Sequence, residues 1–141
     1  EAWNEYLDKP DERVYNPLDK VRTRAGIAKV RDAWKTYARN PQKVETQAGM
    51  REIIRQEWNI EFAFEGRRFY NLRRWMIAHE ELNAPLYGWN IIGDTEERFY
   101  NNNKEPVIVW KKRGFTAPRD YFFPIGSEEV MISGCVQNPG W

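Results

Sequence analysis

The chain has 141 residues, of which 22 are basic and 21 acidic, for a formal net charge of +1. That balance gives no general field for nucleic acid or an anionic membrane, and the basic clusters Arg67-Arg68, Arg73-Arg74 and Lys111-Lys112-Arg113 are short and interleaved with acids. No apolar run approaches the roughly 20 residues of a membrane helix, and the one cysteine, Cys135, excludes an internal disulfide and offers no metal-ligand spacing.

Residues 1–15 read as a polar lead-in, with a short helix around Ala2 to Leu7. Asn16-Pro17 is a helix-start signal, with Asn at the N-cap and Pro in the first turn. Leu18, Val21 and Ala25 then recur at helical spacing, and Gly26 is a natural stop. A second helix is expected from Ala28 to Ala38, with Val30, Trp34 and Tyr37 on one side, and Asn40-Pro41 ends it. One long helix is expected from Thr46 to Ala78, since no proline interrupts the chain between Pro41 and Pro85. Gly66 sits in its middle, where glycine costs on the order of 1 kcal/mol relative to alanine. Either a neighbour packs closely there, or the helix bends.

After Pro85, Asn, Gly and Pro become dense and the pattern turns irregular. Val107-Ile108-Val109-Trp110 and Tyr121-Phe122-Phe123 are the extended runs, and they are expected to pair across Gly114 to Pro118. Ser127-Glu128-Glu129-Val130 reads as an N-capped helical turn. Cys135 reads as a small residue packed in the tail, and Gln137 to Trp141 as a segment held down on the rest. The fold class is therefore mainly α, with a helical portion over 16–78 and a loop-rich portion with short strands over 79–141.

Chemistry concentrates in the long helix. Glu57, Glu61 and Glu65 recur every four residues and share a stripe, beside an apolar stripe of Ile54, Trp58, Phe62, Phe69, Leu72 and Met76. Two carboxylates at the right separation are the machinery of glycoside hydrolysis. Carboxylates on one helix face also bind metal in bundle cores, where the pattern is Glu-x-x-His. The sole histidine, His79, follows no glutamate at that spacing and falls at the expected helix end, where a cation is favourable. It also leaves no Ser/His/Asp or Cys/His set, and no Gly-rich phosphate loop is present. The structural alternative pairs the glutamates with arginines such as Arg68 and Arg74, fixing how helices pack.

Aromatics make up 15% of the chain, including seven tryptophans. Such a content serves either a tryptophan-rich core or a carbohydrate surface, because sugar C–H faces stack on rings. The candidate ligand contacts are the loop residues Tyr87, Trp89, Asn90 and Trp110. Phe99 and Tyr100 are further rings, and Asp94 and Asn101 to Asn103 are polar side chains within reach of hydroxyls. The alternative is that Trp89 and Trp110 seal the loops onto the helices.

Three segments, in order, carry a resemblance. Val21-Arg22-Thr23-Arg24-Ala25-Gly26 comes first. Glu57, Glu61, Glu65-Gly66, Arg68, Leu72, Arg73, Arg74 and Trp75 follow. Tyr121-Phe122-Phe123-Pro124-Ile125 and Val136-Gln137-Asn138-Pro139-Gly140-Trp141 close the set. Together they resemble the SusD/RagB-type nutrient-binding lipoproteins. The chain departs from that pattern at Trp58, Asn71, Gly126 and Ser133-Gly134-Cys135.

The resemblance implies that residues 1–141 are the C-terminal part of a single SusD-like helical domain. A TPR-like portion, a signal peptide and a lipid-anchor cysteine would precede them. It implies a lipid-anchored protein on the outer-membrane surface that binds an oligosaccharide, or a peptide as in RagB-like members. The ligand would pass to a SusC-like TonB-dependent transporter, without cofactor, metal or covalent chemistry. The shared residues Glu57, Glu61, Glu65, Gly66, Arg68, Arg73, Arg74 and Trp75 are then scaffold. A carboxylate-dependent glycosidase and a purely structural subunit of a surface complex remain as competing classes.

Overall fold

The computed structural model describes residues 1–101, 105–110 and 114–141, with Val109 and Trp110 described by their backbone alone. The chain is mainly helical, with two short strands among the described residues. It divides into two compact units, Glu1–Glu65 and Gly66–Trp141.

The first unit contains α1 (Ala2–Tyr6), α2 (Glu12–Arg24), α3 (Val30–Tyr37), a 3-10 turn over Pro41–Glu45, and α4 (Gln47–Glu61). α2 starts earlier than Asn16-Pro17 signals. The Asp11 carboxylate accepts the Arg13 N–H at 2.9 Å, which caps the helix five residues sooner than the candidate N-cap at Asn16 would allow. Pro17 then lies inside the helix. The bond that proline forgoes is tolerated because Val14 and Tyr15, on the turn before it, are buried in the core. Gly26 ends α2 as expected. It takes φ 73°, and the N–H groups of Gly26 and Ile27 return to the carbonyls of Thr23 and Arg22.

α3 has no capping side chain of its own. Asp19, buried on α2, accepts the Val30 N–H at 2.8 Å instead, so one helix caps the next. Tyr15 donates its hydroxyl to the Val44 carbonyl at 2.8 Å. Val14, Tyr15, Val30, Val44, Met50, Ile53 and Ile54 form the core, with Leu7, Leu18, Trp34 and Trp58 packed against it. Tyr37 does not join Val30 and Trp34; it is 83% exposed. The 3-10 turn packs tightly on α4. A Cβ added at Gly49 would lie 2.1 Å from the Lys43 carbonyl oxygen, so only glycine permits this approach.

The expected helix from Thr46 to Ala78 is not continuous. α4 ends at Glu61, and the chain resumes as α5 (Arg67–Arg74) and α6 (Ala78–Glu81). Two residues turn left-handed in the gap, Phe64 at φ 65° and Gly66 at φ 72°. Nothing lies within 4 Å of a Cβ built at Gly66, so its role is conformational and not close packing. α5 ends in the same manner as α2, with the N–H groups of Met76 and Ile77 bonded to the carbonyls of Arg73 and Leu72. Here the left-handed residue is Met76 at φ 58°. The apolar stripe is cut accordingly. Ile54 and Leu72 are buried, Trp58 and Phe62 are half-buried with rings 4.8 Å apart, and Met76 is exposed.

The second unit adds β1 (Leu86–Gly88), α7 (Glu96–Phe99), β2 (Val107–Trp110), a 3-10 turn over Arg119–Tyr121, and α8 (Ser127–Ser133). β2 pairs antiparallel with β1, placing Tyr87 opposite Ile108 and Gly88 opposite Val107. The expected pairing with Tyr121 to Phe123 does not form. Asp120 accepts the Thr116 N–H on its carboxylate at 2.6 Å and gives its own N–H to the Thr116 carbonyl at 2.8 Å. The N–H groups of Tyr121 and Phe122 return to the carbonyls of Pro118 and Arg119, each at 3.1 Å, and these local bonds take backbone groups that a strand ladder would use. α8 forms, but Gly126 is its N-cap residue and no side chain caps it. Cys135 is exposed, not packed.

Candidate functional site

The glutamate stripe meets the first motif. Glu57 pairs with Arg22, whose Nε also donates to the Ala28 carbonyl at 2.7 Å. Glu61 pairs with Arg24. The partners of Glu57 and Glu61 are thus Arg22 and Arg24 of Val21–Gly26, and not Arg68 or Arg74. The side chains of Arg22 and Glu57 are 13% and 17% exposed, so this pair is largely withdrawn from water. Arg24 is 69% exposed, which makes its pair with Glu61 a weak contributor to stability. Glu65 lies beyond α4, in the interruption before Gly66. Both arginines stand in the sequence as the alternating basic residues ahead of Gly26, but nothing local links them to glutamates 35 and 37 residues away.

The second half of the signature serves the other unit. Arg68 pairs with Glu81 at 3.0 Å, and Arg74 donates to the Asn71 side chain at 3.1 Å. Arg73 donates to the Asp120 carbonyl, with its guanidinium 4.5 Å from the Phe69 ring and 4.3 Å from that of Phe123. Trp75 is the C-cap residue of α5, its ring 5.2 Å from the Arg74 guanidinium. His79 does not end a long helix. It is the second residue of the single-turn α6, and its Nδ1 lies 2.7 Å from the Tyr121 hydroxyl.

The closing motif holds the Tyr121–Ile125 segment from the other side. The Gln137 amide accepts the Ile125 N–H and donates to the Ile125 carbonyl, each at 2.8 Å. Asn138 donates to the Phe123 carbonyl at 2.7 Å, and the Trp141 indole N–H reaches the Arg119 carbonyl at 3.1 Å. Gln137 to Trp141 is therefore held down, as expected.

The Arg119 guanidinium first, and the Thr116 N–H second, hold the Asp120 carboxyl below its ordinary range. A depressed native value stabilises the fold above the unfolded value of about 4. That contribution is lost as pH falls through the native value. The urea midpoint of the wild-type chain should therefore drop more between about pH 6 and pH 3 than that of Asp120→Asn. Equal drops would show that Asp120 takes no part in acid sensitivity.

The candidate ligand contacts gather on the segment from β1 to α7. Tyr87 stands on β1, 60% exposed. Trp89 follows it, half-buried, and meets the Tyr100 ring edge-on at 5.2 Å; Tyr100 in turn meets Phe99 at 5.0 Å. The loop closes on α7 through the Asn90 N–H, which donates to the Phe99 carbonyl at 3.1 Å. Asn90 Oδ1 accepts the Ile92 N–H at 3.3 Å, Asp94 pairs with Arg98 at 2.9 Å, and Asn101 donates to the Glu105 carbonyl at 3.0 Å. These polar groups shape their own loop. The side chain of Trp110, with Asn102, Asn103 and the Lys111-Lys112-Arg113 cluster, lies outside the described residues; the backbone of Trp110 pairs with Leu86.

Among the described residues no group of His, Cys, Asp or Glu could hold a metal ion, and no helix is long and apolar enough to cross a membrane. The family model of the SusD family matches residues 1–141. The chain belongs to the SusD family. No curated protein and no solved structure matches it. SusD-family proteins bind nutrients such as glycans at the cell surface, are associated with the outer membrane, and are binding proteins and not enzymes. The SusD signature residues that the two units use, Glu57 and Glu61 in one and Arg68, Arg73 and Arg74 in the other, make ion pairs and hydrogen bonds within the protein.

Proposed function

We propose that this chain is the C-terminal part of a single SusD-like domain that captures an oligosaccharide at the cell surface and passes it to a SusC-like TonB-dependent transporter. The observation that carries this reading is the family match across residues 1–141. In the whole protein a TPR-like portion precedes this chain, and a lipid anchor outside it holds the protein to the outer membrane. Capture is non-covalent, and the protein closes over the transporter as a lid. The ligand contacts proposed are Tyr87, Trp89, Asn90 and Trp110. The clustering of Trp89, Phe99 and Tyr100 beside the exposed Tyr87 favours them, since such rings offer faces to sugar C–H groups. A hydrolytic role finds little support, because the carboxylates of Glu57 and Glu61 are engaged by Arg22 and Arg24.

Two measurements test this. Affinity capture of the native protein from outer membranes in mild detergent should recover a large β-barrel transporter; recovery without one removes the transporter from the reading. Titration with neutral oligosaccharides should show binding that weakens several-fold in Tyr87→Ala and Trp89→Ala, the scale of an aromatic contact. Selective binding of peptides in place of sugars would replace the glycan with a peptide ligand.

A further inference from the structure

The first unit carries a groove that none of the signature residues enters. It has a volume of about 760 Å³ and lies between α3, the 3-10 turn and α4. Small-molecule sites fall within roughly 300 to 1,000 Å³, so the groove has room for a few sugar rings. Its lining includes Trp34, Arg39, Asn40, Gln42, Lys43 and Glu52.

The charges in this groove are unequal. Lys43 and Glu52 neutralise one another at 2.5 Å, and the Lys43 ammonium also sits 5.4 Å from the centre of the Trp34 ring. Arg39 is exposed and makes no hydrogen bond or ion pair with a described residue. The groove therefore keeps one guanidinium with its full donor fork, beside an indole and two side-chain amides. A guanidinium of this kind suits a carboxylate bound through two parallel hydrogen bonds. The indole suits an apolar sugar face, and the amides of Asn40 and Gln42 can both donate to and accept from hydroxyls. The position is stiff. Trp34 packs against the core, and Gly49 allows the turn carrying Gln42 and Lys43 to sit directly on α4.

We propose that this groove is a second saccharide site, selective for oligosaccharides that carry a uronic-acid carboxylate. It rests on the reading of the chain as a saccharide-binding protein, but at residues distinct from Tyr87 and Trp89. Calorimetric titration of the full chain with trigalacturonate, and with maltotriose as the neutral control, tests it. Trigalacturonate should bind, and Arg39→Gln should weaken it roughly tenfold, the scale of one charge-assisted contact. Arg39 is exposed, so this variant keeps the fold. The Trp34 indole N–H resonance should shift on binding. Trigalacturonate binding that is unchanged in Arg39→Gln overturns the inference, as does binding lost only in Trp89→Ala, which assigns it to the other segment. Binding of maltotriose alone overturns the groove assignment while leaving the glycan-capture reading intact. Binding of neither sugar overturns the inference.

Discussion

Arg22→Ala is expected to lower stability by about 3 kcal/mol, within the range for breaking a buried ion pair by removing one partner. The reason is desolvation. Glu57 is 17% exposed, and without Arg22 its carboxylate stays largely out of water with its counter-charge gone. The Ala28 carbonyl loses its donor at the same time. Glu57→Gln alone should cost less, since a neutral amide is cheaper to bury than an unpaired carboxylate. The double variant Arg22→Ala, Glu57→Gln should recover part of the loss, because it removes the stranded charge. Urea denaturation followed by circular dichroism reads all three. A loss below about 0.5 kcal/mol for Arg22→Ala would mean that water reaches Glu57 freely and the pair acts like a surface one.

The second large effect is expected at Arg73, in the other unit. Its guanidinium lies over two rings, Phe69 and Phe123, and donates to the Asp120 carbonyl. Cation–π contacts contribute about 0.5 to 2 kcal/mol each, and a hydrogen bond from a charged group about 1.5 to 3 kcal/mol. One feature offsets these gains: the Arg73 Nε is buried with no hydrogen-bond partner among the described residues. The net cost of Arg73→Ala is therefore placed at about 2 kcal/mol, below the simple sum. Arg73→Lys should recover little, since an ammonium keeps the charge but cannot stack as a plane between two rings. Full recovery in Arg73→Lys, measured by the same urea titration, would reduce the role of Arg73 to charge alone.

Much of the helical content was legible because its signals are local. Gly26 marks the end of α2, since glycine reaches a positive φ without the steric cost other residues bear. The tail could be read as held down, and the bonds from Gln137, Asn138 and Trp141 supply the means. Other features were hidden for physical reasons. Asn16-Pro17 has the form of a helix start, yet Asp11 caps α2 earlier and burial of Val14 and Tyr15 carries the helix past the proline. Gly66 signals a bend as one of two readings, but Phe64 and Met76 adopt left-handed conformations that no propensity of phenylalanine or methionine announces, so the break at Met76 carries no sequence signal. β1 has three residues, too few to show an alternation, so the sequence offers Tyr121 to Phe123 in its place as the partner of Val107 to Trp110.

The candidate site was legible unevenly. The pairing of arginines with glutamates was foreseeable from composition of the stripe, but the partners were not, because Arg22 and Glu57 meet only through the packing of α2 and α4. The rings of Trp89, Phe99 and Tyr100 could be nominated from their loop context. The groove beside Trp34 could not, since its floor depends on Gly49 meeting Lys43 across a turn.

The interruption between Phe62 and Gly66 changes what an insertion would do to this chain. Within an unbroken helix, one added residue rotates every later side chain by about 100° around the axis. Glu57 and Glu61 would then fall out of phase with Arg68, Arg73 and Arg74. Here the two groups answer to different partners, Arg22 and Arg24 on one side, Glu81, Asn71 and Asp120 on the other. Residues 63–66 are exposed, so an added residue there can be absorbed as slack in the loop. A stretch that looks like a rigid ruler in the sequence is, in length, one of its more forgiving places.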